Sequence, residues 1–209
     1  MSGEPHADEP TSLIDEFMAE YDVQDVTCAV VDVGPERIYK SLRGYDLATD
    51  PVAGALFGLR TVLDRVADAL RRRTWITEQQ PHLTIEDVVA LGTGFVLLGE
   101  RPGREFAVGS VGRFWQPRIV FAKVAPPDFT TFAQRGYAKL AWSARVLPYG
   151  RSQAIVLIDV RVKAFDRAAL TRFARYWTFI GPLSRLIRRR AIARATACAQ
   201  SFFMTRSVS

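Results

Sequence analysis

Histidine and cysteine are almost absent from this sequence of 209 residues, with two of each, and each shortage removes a class of chemistry. His6 falls in an acidic leader and His82 in a turn beside Pro81, so neither belongs to the predicted sheet-and-helix core. That argues against a Ser-His-Asp triad, histidine acid–base chemistry and a histidine-held metal. Cys28 and Cys198 lie too far apart in sequence for a metal knuckle or a redox dithiol, and a domain of this size does not need a disulfide. Neither a metal nor a cofactor is expected, and the thiols suit a reducing cytoplasm. No stretch of about 18 uncharged apolar residues occurs, which removes a membrane-spanning helix. The opening MSGEPHADEPTS lacks the basic-then-apolar order of a secretory signal. Gly92, Gly94, Gly109 and Gly112 lack the strand-to-helix setting of a phosphate loop, and the last two suit tight bending of a curved sheet or close approach of a helix.

What is present is a core. Hydrophobic residues make up 48% of the chain and charged residues 24%, a balance that folds into one domain at this length. Charge is divided between the ends. Residues 1–25 hold eight acidic side chains and no lysine or arginine, whereas residues 166–209 hold nine arginines against the single Asp166. The two ends therefore attract each other, and this partial neutralisation weakens any nucleic-acid reading. The expected organisation is a disordered acidic leader over 1–20, a single domain over 21–200 and a flexible tail over 201–209.

Val26, Cys28, Val30, Val31 and Val33 predict a first strand, closed by Gly34-Pro35. A helix over 36–42 follows, with Pro35 suited to its first turn. Leu56, Leu59, Leu63, Val66 and Leu70 predict a longer helix over 51–73, and Thr84 with Asp87 cap a short one over 84–90. Strands are expected from Phe95, over 105–115, over 119–124, over 137–146 and over 154–165, with Asp128 capping a single turn over 129–132. Asp166 is the expected N-cap of a helix over 168–179; Gly181-Pro182 should kink or break it, and Ser184 restart it to about 199. Consecutive antiparallel strands followed by a long helix give an α+β fold, with one sheet face covered by that helix.

Several strings then resemble a known group. Gly94-Phe95-Val96-Leu97-Leu98-Gly99-Glu100, Gly112-Arg113-Phe114-Trp115, Gly136-Tyr137-Ala138-Lys139, Asp159-Val160-Arg161-Val162, Arg175-Tyr176-Trp177 and the run from Pro182 to Arg189 resemble the SRPBCC superfamily. That superfamily includes START-type lipid carriers and polyketide cyclase-like proteins, and the likeness is to actinobacterial members. It spans about residues 22–197. It implies a helix-grip fold: a curved antiparallel sheet wrapped around a long C-terminal helix, extra helices after the first strand, and a deep cavity between sheet and helix. The function implied is binding of a lipid, polyketide or similar apolar molecule. A cofactor-independent cyclase, dehydratase or isomerase acting on such a ligand is the alternative. Where the similar proteins tend to read Thr-Glu-Thr-Arg-Val in the last strand, this chain reads Ile158-Asp159-Val160-Arg161-Val162, which shortens the acid and removes the flanking hydroxyls.

Asp159 and Arg161 are two apart on a strand and so share a face with Ile155 and Leu157, opposite Val156, Ile158, Val160 and Val162. They are either polar anchors inside the cavity or a surface ion pair. Trp115, Trp142, Tyr176 and Trp177 are candidates for the cavity wall, against ordinary core packing, and Arg113 beside Trp115 is a candidate cationic anchor. Catalysis would have to use Asp159, Glu100, Glu105, Tyr137 or Tyr176, and no spacing selects one. Arg185, Arg188, Arg189, Arg190 and Arg194 crowd the last helix, as a solvated outer face or as a surface for an anionic membrane or a partner. Localisation is expected to be cytoplasmic, with peripheral membrane attachment as an option. A homodimer is compatible with the pattern without being specified by it.

Overall fold

The computed structural model describes residues 12–46, 94–116 and 119–204, with side chains to residue 201. Five strands form one antiparallel sheet in the order β1-β5-β4-β3-β2. They are β1 Val23–Val31, β2 Phe95–Arg101, β3 Glu105–Gly112, β4 Ala138–Tyr149 and β5 Gln153–Ala164. The described helices are α1 Leu13–Phe17, α2 Pro35–Arg43 and α3 Arg167–Met204, with a 3-10 turn at Pro126–Asp128. The chain thus has the α+β arrangement expected of it, a curved sheet wrapped around a long C-terminal helix, with α2 following the first strand. The helices predicted over 51–73 and 84–90 lie outside the described residues.

Two tight hairpins fix the register. Gly103 (φ 77°) turns β2 into β3, and Gly150 (φ 59°) turns β4 into β5, both in the left-handed region that glycine enters without a Cβ clash. β4 and β5 then pair along their whole length, from Ala138 opposite Ala164 to Tyr149 opposite Gln153. β1 closes the sheet against β5, Val23 opposite Val162 and Val31 opposite Ala154.

Side-chain alternation along these strands gives the sheet an inner and an outer face. On the inner face, Ile192, Ala195 and Ala199 of α3 pack with Phe106, Ala144, Val156 and Ile158, joined by Ile38, Tyr39 and Leu42 of α2. Toward the start of α3, Phe173 packs with Phe114, Ala138 and Val162. Phe106 and Phe173 are sealed from solvent, each contributing about 1.5–3 kcal/mol of apolar burial. On the outer face, Leu13, Ile14, Met18 and Phe129 cover Leu98, Ala107, Val111 and Ala141. Gly109 permits that cover, because a Cβ there would come within 2.7 Å of the Phe129 ring and 2.8 Å of Leu98. Close approach, rather than sheet bending, is what this glycine serves.

Four expectations need correction. Residues 12–20 are not part of a disordered leader: Leu13 and Ile14 are buried, Ser12 Oγ donates to Glu105 at 2.6 Å, and the Leu13 amide donates to the same carboxylate at 3.0 Å. The acidic composition of the leader concealed this short apolar anchor. Residues 119–124 form one bridge, Phe121 to Gly112, instead of a strand. β3 accordingly ends at Gly112, short of Trp115. Finally, α3 runs unbroken through Pro182, which lies on an exposed position where the missing amide and the ring face solvent while both flanking halves pack on the sheet. The Asp166 cap is as expected: its carboxylate accepts the Ala169 amide at 2.8 Å and the Gly136 amide. Those bonds hold the carboxyl below its ordinary value.

Candidate functional site

The alternation of β1 divides its apolar residues between both faces and puts two polar side chains inside. Val26, Cys28 and Val30 face outward and are exposed, while Asp25 and Thr27 turn inward and are buried. A buried carboxylate needs a partner, and α3 supplies two. Arg185 donates from Nη2 to Asp25 Oδ2 at 2.8 Å and from Nε to Oδ1 at 3.3 Å. Arg188, one turn on, places Nη2 2.8 Å from Asp25 Oδ1, donates from Nε to Thr27 Oγ1 at 3.0 Å and from Nη1 to Ser184 Oγ at 2.9 Å. The side chains of Asp25 and Arg188 are 5% and 7% exposed, so this ion pair lies inside the layer between helix and sheet. Burial pushes the Arg188 guanidinium below its ordinary value even with Asp25 beside it. Its Nη2 makes the ion-pair contact with Asp25 and has no other acceptor.

Asp25 begins a row that crosses the inner face through Val160, Trp142, Val108 and Leu97. Trp142 and Leu97 are half-buried, and the Trp142 ring stands edge-on to Phe106 at 5.6 Å. Along α3 the inward positions run Phe173, Trp177, Gly181, Ser184 and Arg188, from aromatic through small to polar. Trp177 stacks on Phe173 at 5.6 Å, and a Cβ on Gly181 would press to 3.0 Å from Trp177 Nε1. The four predicted aromatics are therefore all on the inner side and half-buried: Trp115, Tyr176 and Trp177 around Phe114 and Phe173, and Trp142 against the core next to α2.

The predicted acid–arginine pair lies elsewhere. Val160 and Val162 face α3, so Asp159 and Arg161 between and beside them face outward. Arg161 donates from Nε to Asp159 at 2.9 Å, and from Nη1 to Asp15 at 2.6 Å and the Met18 carbonyl at 2.9 Å, with its guanidinium over Tyr21. Burial alone would lower this guanidinium, but the bonds to Asp15 and Asp159 outweigh it and raise it. The pair fastens the segment after α1 to the sheet and is not a cavity anchor. Arg113 is also displaced from its expected place beside Trp115. With β3 ending at Gly112 the alternation lapses, and Arg113 stacks over Tyr137 at 4.6 Å, a ring packed with the outer-face cluster.

Of the acid–base candidates, Glu100 accepts from Tyr39 and Arg43, and Glu105 caps α1. Burial, then the Glu100 bond, pushes the Tyr39 phenol far above its ordinary value. These carboxylates are engaged in holding elements together and do not converge with Tyr137 or Tyr176. Among the described residues no group of three or more His, Cys, Asp or Glu is placed to hold a metal ion.

The arginine run does not form one outward surface. Arg185 and Arg188 turn toward Asp25, whereas Arg189 and Arg194 are exposed and Arg190 is half-buried. The reason is helical spacing, since position 188 lies on the inward side with Ser184 and Arg185, exposed on the flank, reaches back to Asp25. Asp25, Thr27 and Ser184 were missed by reading the sequence. Their signal was the polar alternate set on the first strand, together with the attraction between acidic and basic ends, which Asp25 and its two arginines realise.

Two surface hollows are lined by described residues outside the layer between sheet and α3. One, of about 330 Å³ on the outer face, is walled by Asp15, Glu20, Phe132, Lys139, Lys163 and Phe165 among others. Within it Lys139 Nζ donates to the carbonyls of Phe129 (3.2 Å) and Thr130 (2.9 Å). Burial, with Lys163 directly opposite on β5, holds that ammonium below its ordinary value. The other, of about 460 Å³, lies along the first turns of α3 and is lined by Arg167, Ala168, Thr171, Arg172 and Arg175.

No family model matches the chain, and no curated protein matches it. Among solved structures it is similar to a norcoclaurine synthase point mutant from Thalictrum flavum in complex with a transition-state analogue, at 11% identity and a TM-score of 0.36, covering 85% of this chain and 97% of that one. It is also similar to truncated norcoclaurine synthase from Thalictrum flavum, at 10% identity and a TM-score of 0.34, covering 85% and 93%. A third similar structure, from Thermus thermophilus, has 11% identity and a TM-score of 0.30, covering 85% and 99%.

Proposed function

We propose that this protein binds an apolar small molecule between the inner face of the sheet and α3, with Arg188 orienting one oxygen of the ligand. The observation that carries this reading is a guanidinium inside the layer: Arg188, 7% exposed, is held there by Asp25, Thr27 and Ser184. A guanidinium carries five N–H groups, and a carbonyl or carboxylate oxygen of a ligand would accept from those that Asp25, Thr27 and Ser184 leave. Around the same layer Trp115, Trp142, Tyr176 and Trp177 are half-buried rather than sealed. Large rigid rings with a few polar groups suit a site for a mostly apolar molecule. Binding is favoured over turnover because Glu105 and Asp159 are held on the outer face and Glu100 is engaged by Tyr39 and Arg43.

The test is titration of the full chain with 1-anilinonaphthalene-8-sulfonate, which joins apolar rings to an anionic oxygen group. Saturable fluorescence gain at one site is expected, weakened about tenfold by Trp142→Ala through lost ring contact. Arg188→Met should weaken it further while leaving purely apolar probes less affected. Trp177→Leu serves as a second variant should the alanine fail to fold, as judged by circular dichroism. Absence of saturable binding to folded protein, or affinity untouched by both tryptophan substitutions, would remove the reading.

A further inference from the structure

The side of α3 turned away from the sheet is neither uniformly polar nor uniformly charged. Arg172, Arg175, Phe179, Pro182, Leu186 and Arg189 follow one another at intervals of three and four and so form a single stripe along the helix. Every one of them is exposed, Phe179 to 79% and Leu186 to 45%. An apolar centre about 10 Å long is thus bracketed by arginine at both ends. No acidic residue occurs anywhere in α3. Among the described residues, Arg172, Arg175 and Arg189 form no ion pair, in contrast to Arg185 and Arg188, which pair with Asp25.

We infer that this stripe docks the protein, peripherally, on the surface of an anionic lipid bilayer. Phe179 and Leu186 lie on one stripe between arginines, and the boundary between headgroups and acyl chains accepts such an apolar centre while its phosphates neutralise the flanking guanidiniums. Arg172 and Arg175 also lie with Arg167 on the open surface at the start of α3, which clusters three guanidiniums there. Among the described residues no helix is long and apolar enough to cross a membrane, so the contact is one of lying on the surface. The inference goes beyond small-molecule binding and stands without it, because the stripe faces away from the inner layer.

The experiment is co-sedimentation of the full chain with vesicles of phosphatidylcholine alone or doped with phosphatidylglycerol, across a salt series. Binding is expected to the doped vesicles and to fade as salt rises. Replacing Arg172, Arg175 and Arg189 with Gln should lower the partition coefficient about fivefold per arginine. Phe179→Ser should lower it about tenfold without changing the salt dependence. All of these positions are exposed, so each variant should keep the parent circular-dichroism spectrum and its dye titration. Equal pelleting with neutral and doped vesicles, or none with either, would overturn the inference. So would doped-vesicle binding that both variants retain. Binding to a short DNA duplex without vesicle binding would assign the arginines to another polyanion and overturn it equally. Self-association abolished by Phe179→Ser, again without vesicle binding, would assign the stripe to a second copy and have the same effect.

Discussion

Arg188 carries a full charge into a layer otherwise built of valine, isoleucine and aromatic rings. Its pairing with Asp25 decides whether that is tolerable. Removing one partner leaves the other charge buried, so Asp25→Ala is expected to cost about 3–5 kcal/mol in urea unfolding. The joint replacement Asp25→Leu with Arg188→Met should recover most of that loss, because an apolar pair of similar volume needs no desolvation. If the double variant is as unstable as the single one, the pair is holding the fold by more than charge balance. Lys139 presents the opposite case, a buried ammonium satisfied by the carbonyl oxygens of Phe129 and Thr130. Its folded value is depressed below the ordinary 10.5, so between those two values the unfolded chain holds more protons than the folded one. Stability contributed at this position should therefore rise with pH across that window, and the destabilisation present below it should fade. Urea midpoints measured for the parent and for Lys139→Met as pH approaches 10.5 check the sign: the parent should gain on the variant as pH increases.

At the scale of elements, what the sequence makes legible is whatever depends on neighbours a few residues away. The hairpins at Gly103 and Gly150, the Asp166 cap and the start of α2 at Pro35 follow from turn and cap chemistry alone. Pro182 shows the limit of such local reasoning. Proline removes the hydrogen bond to the Thr178 carbonyl, but Thr178 and Pro182 are both exposed, so water can take the place of the missing amide. Packing at Phe173 on one side and at Ile192 on the other then holds α3 together as one rod. Pro182→Ala is accordingly expected to raise stability by about 1–3 kcal/mol and to leave helical content unchanged, read by urea unfolding and circular dichroism. A proline needed to shape the helix would give a loss instead. Gly109→Ala tests the outer cover in the same way: a methyl pressed against Phe129 and Leu98 should cost about 1–3 kcal/mol by overpacking.

Across the whole molecule, the sheet is covered on both faces, by α3 and α2 within and by α1 with the segment around Phe129 outside, but the outer cover is incomplete. Toward β1 the outer face presents Val26 and Val30 at 46% and 55% exposure, with Ile155 and Leu157 half-buried beside them on β5. Here periodicity misleads about the candidate site. Val26, Cys28 and Val30 of β1 are exposed while Asp25 and Thr27 share the inward side with Val31, because Arg185 and Arg188, some 160 residues later in the chain, arrive to pair with Asp25. No window of local sequence contains both halves of that arrangement; the division of charge between the chain ends is its one distant sign. The exposed valines also lie on an edge strand of the described sheet, whose free backbone groups invite pairing with another chain. Val30→Lys should therefore change stability by no more than about 0.5 kcal/mol, since little apolar contact is lost. It should also suppress concentration-dependent association, because lysine on an edge opposes strand addition. Light scattering over a concentration series, with Val31→Lys as the inward-facing counterpart, separates the two sides of the strand. The Val30 variant should stay monodisperse and folded while the Val31 variant, whose side chain is 6% exposed, unfolds. Equal tolerance at both positions would mean that β1 is not oriented with Asp25 and Thr27 toward α3.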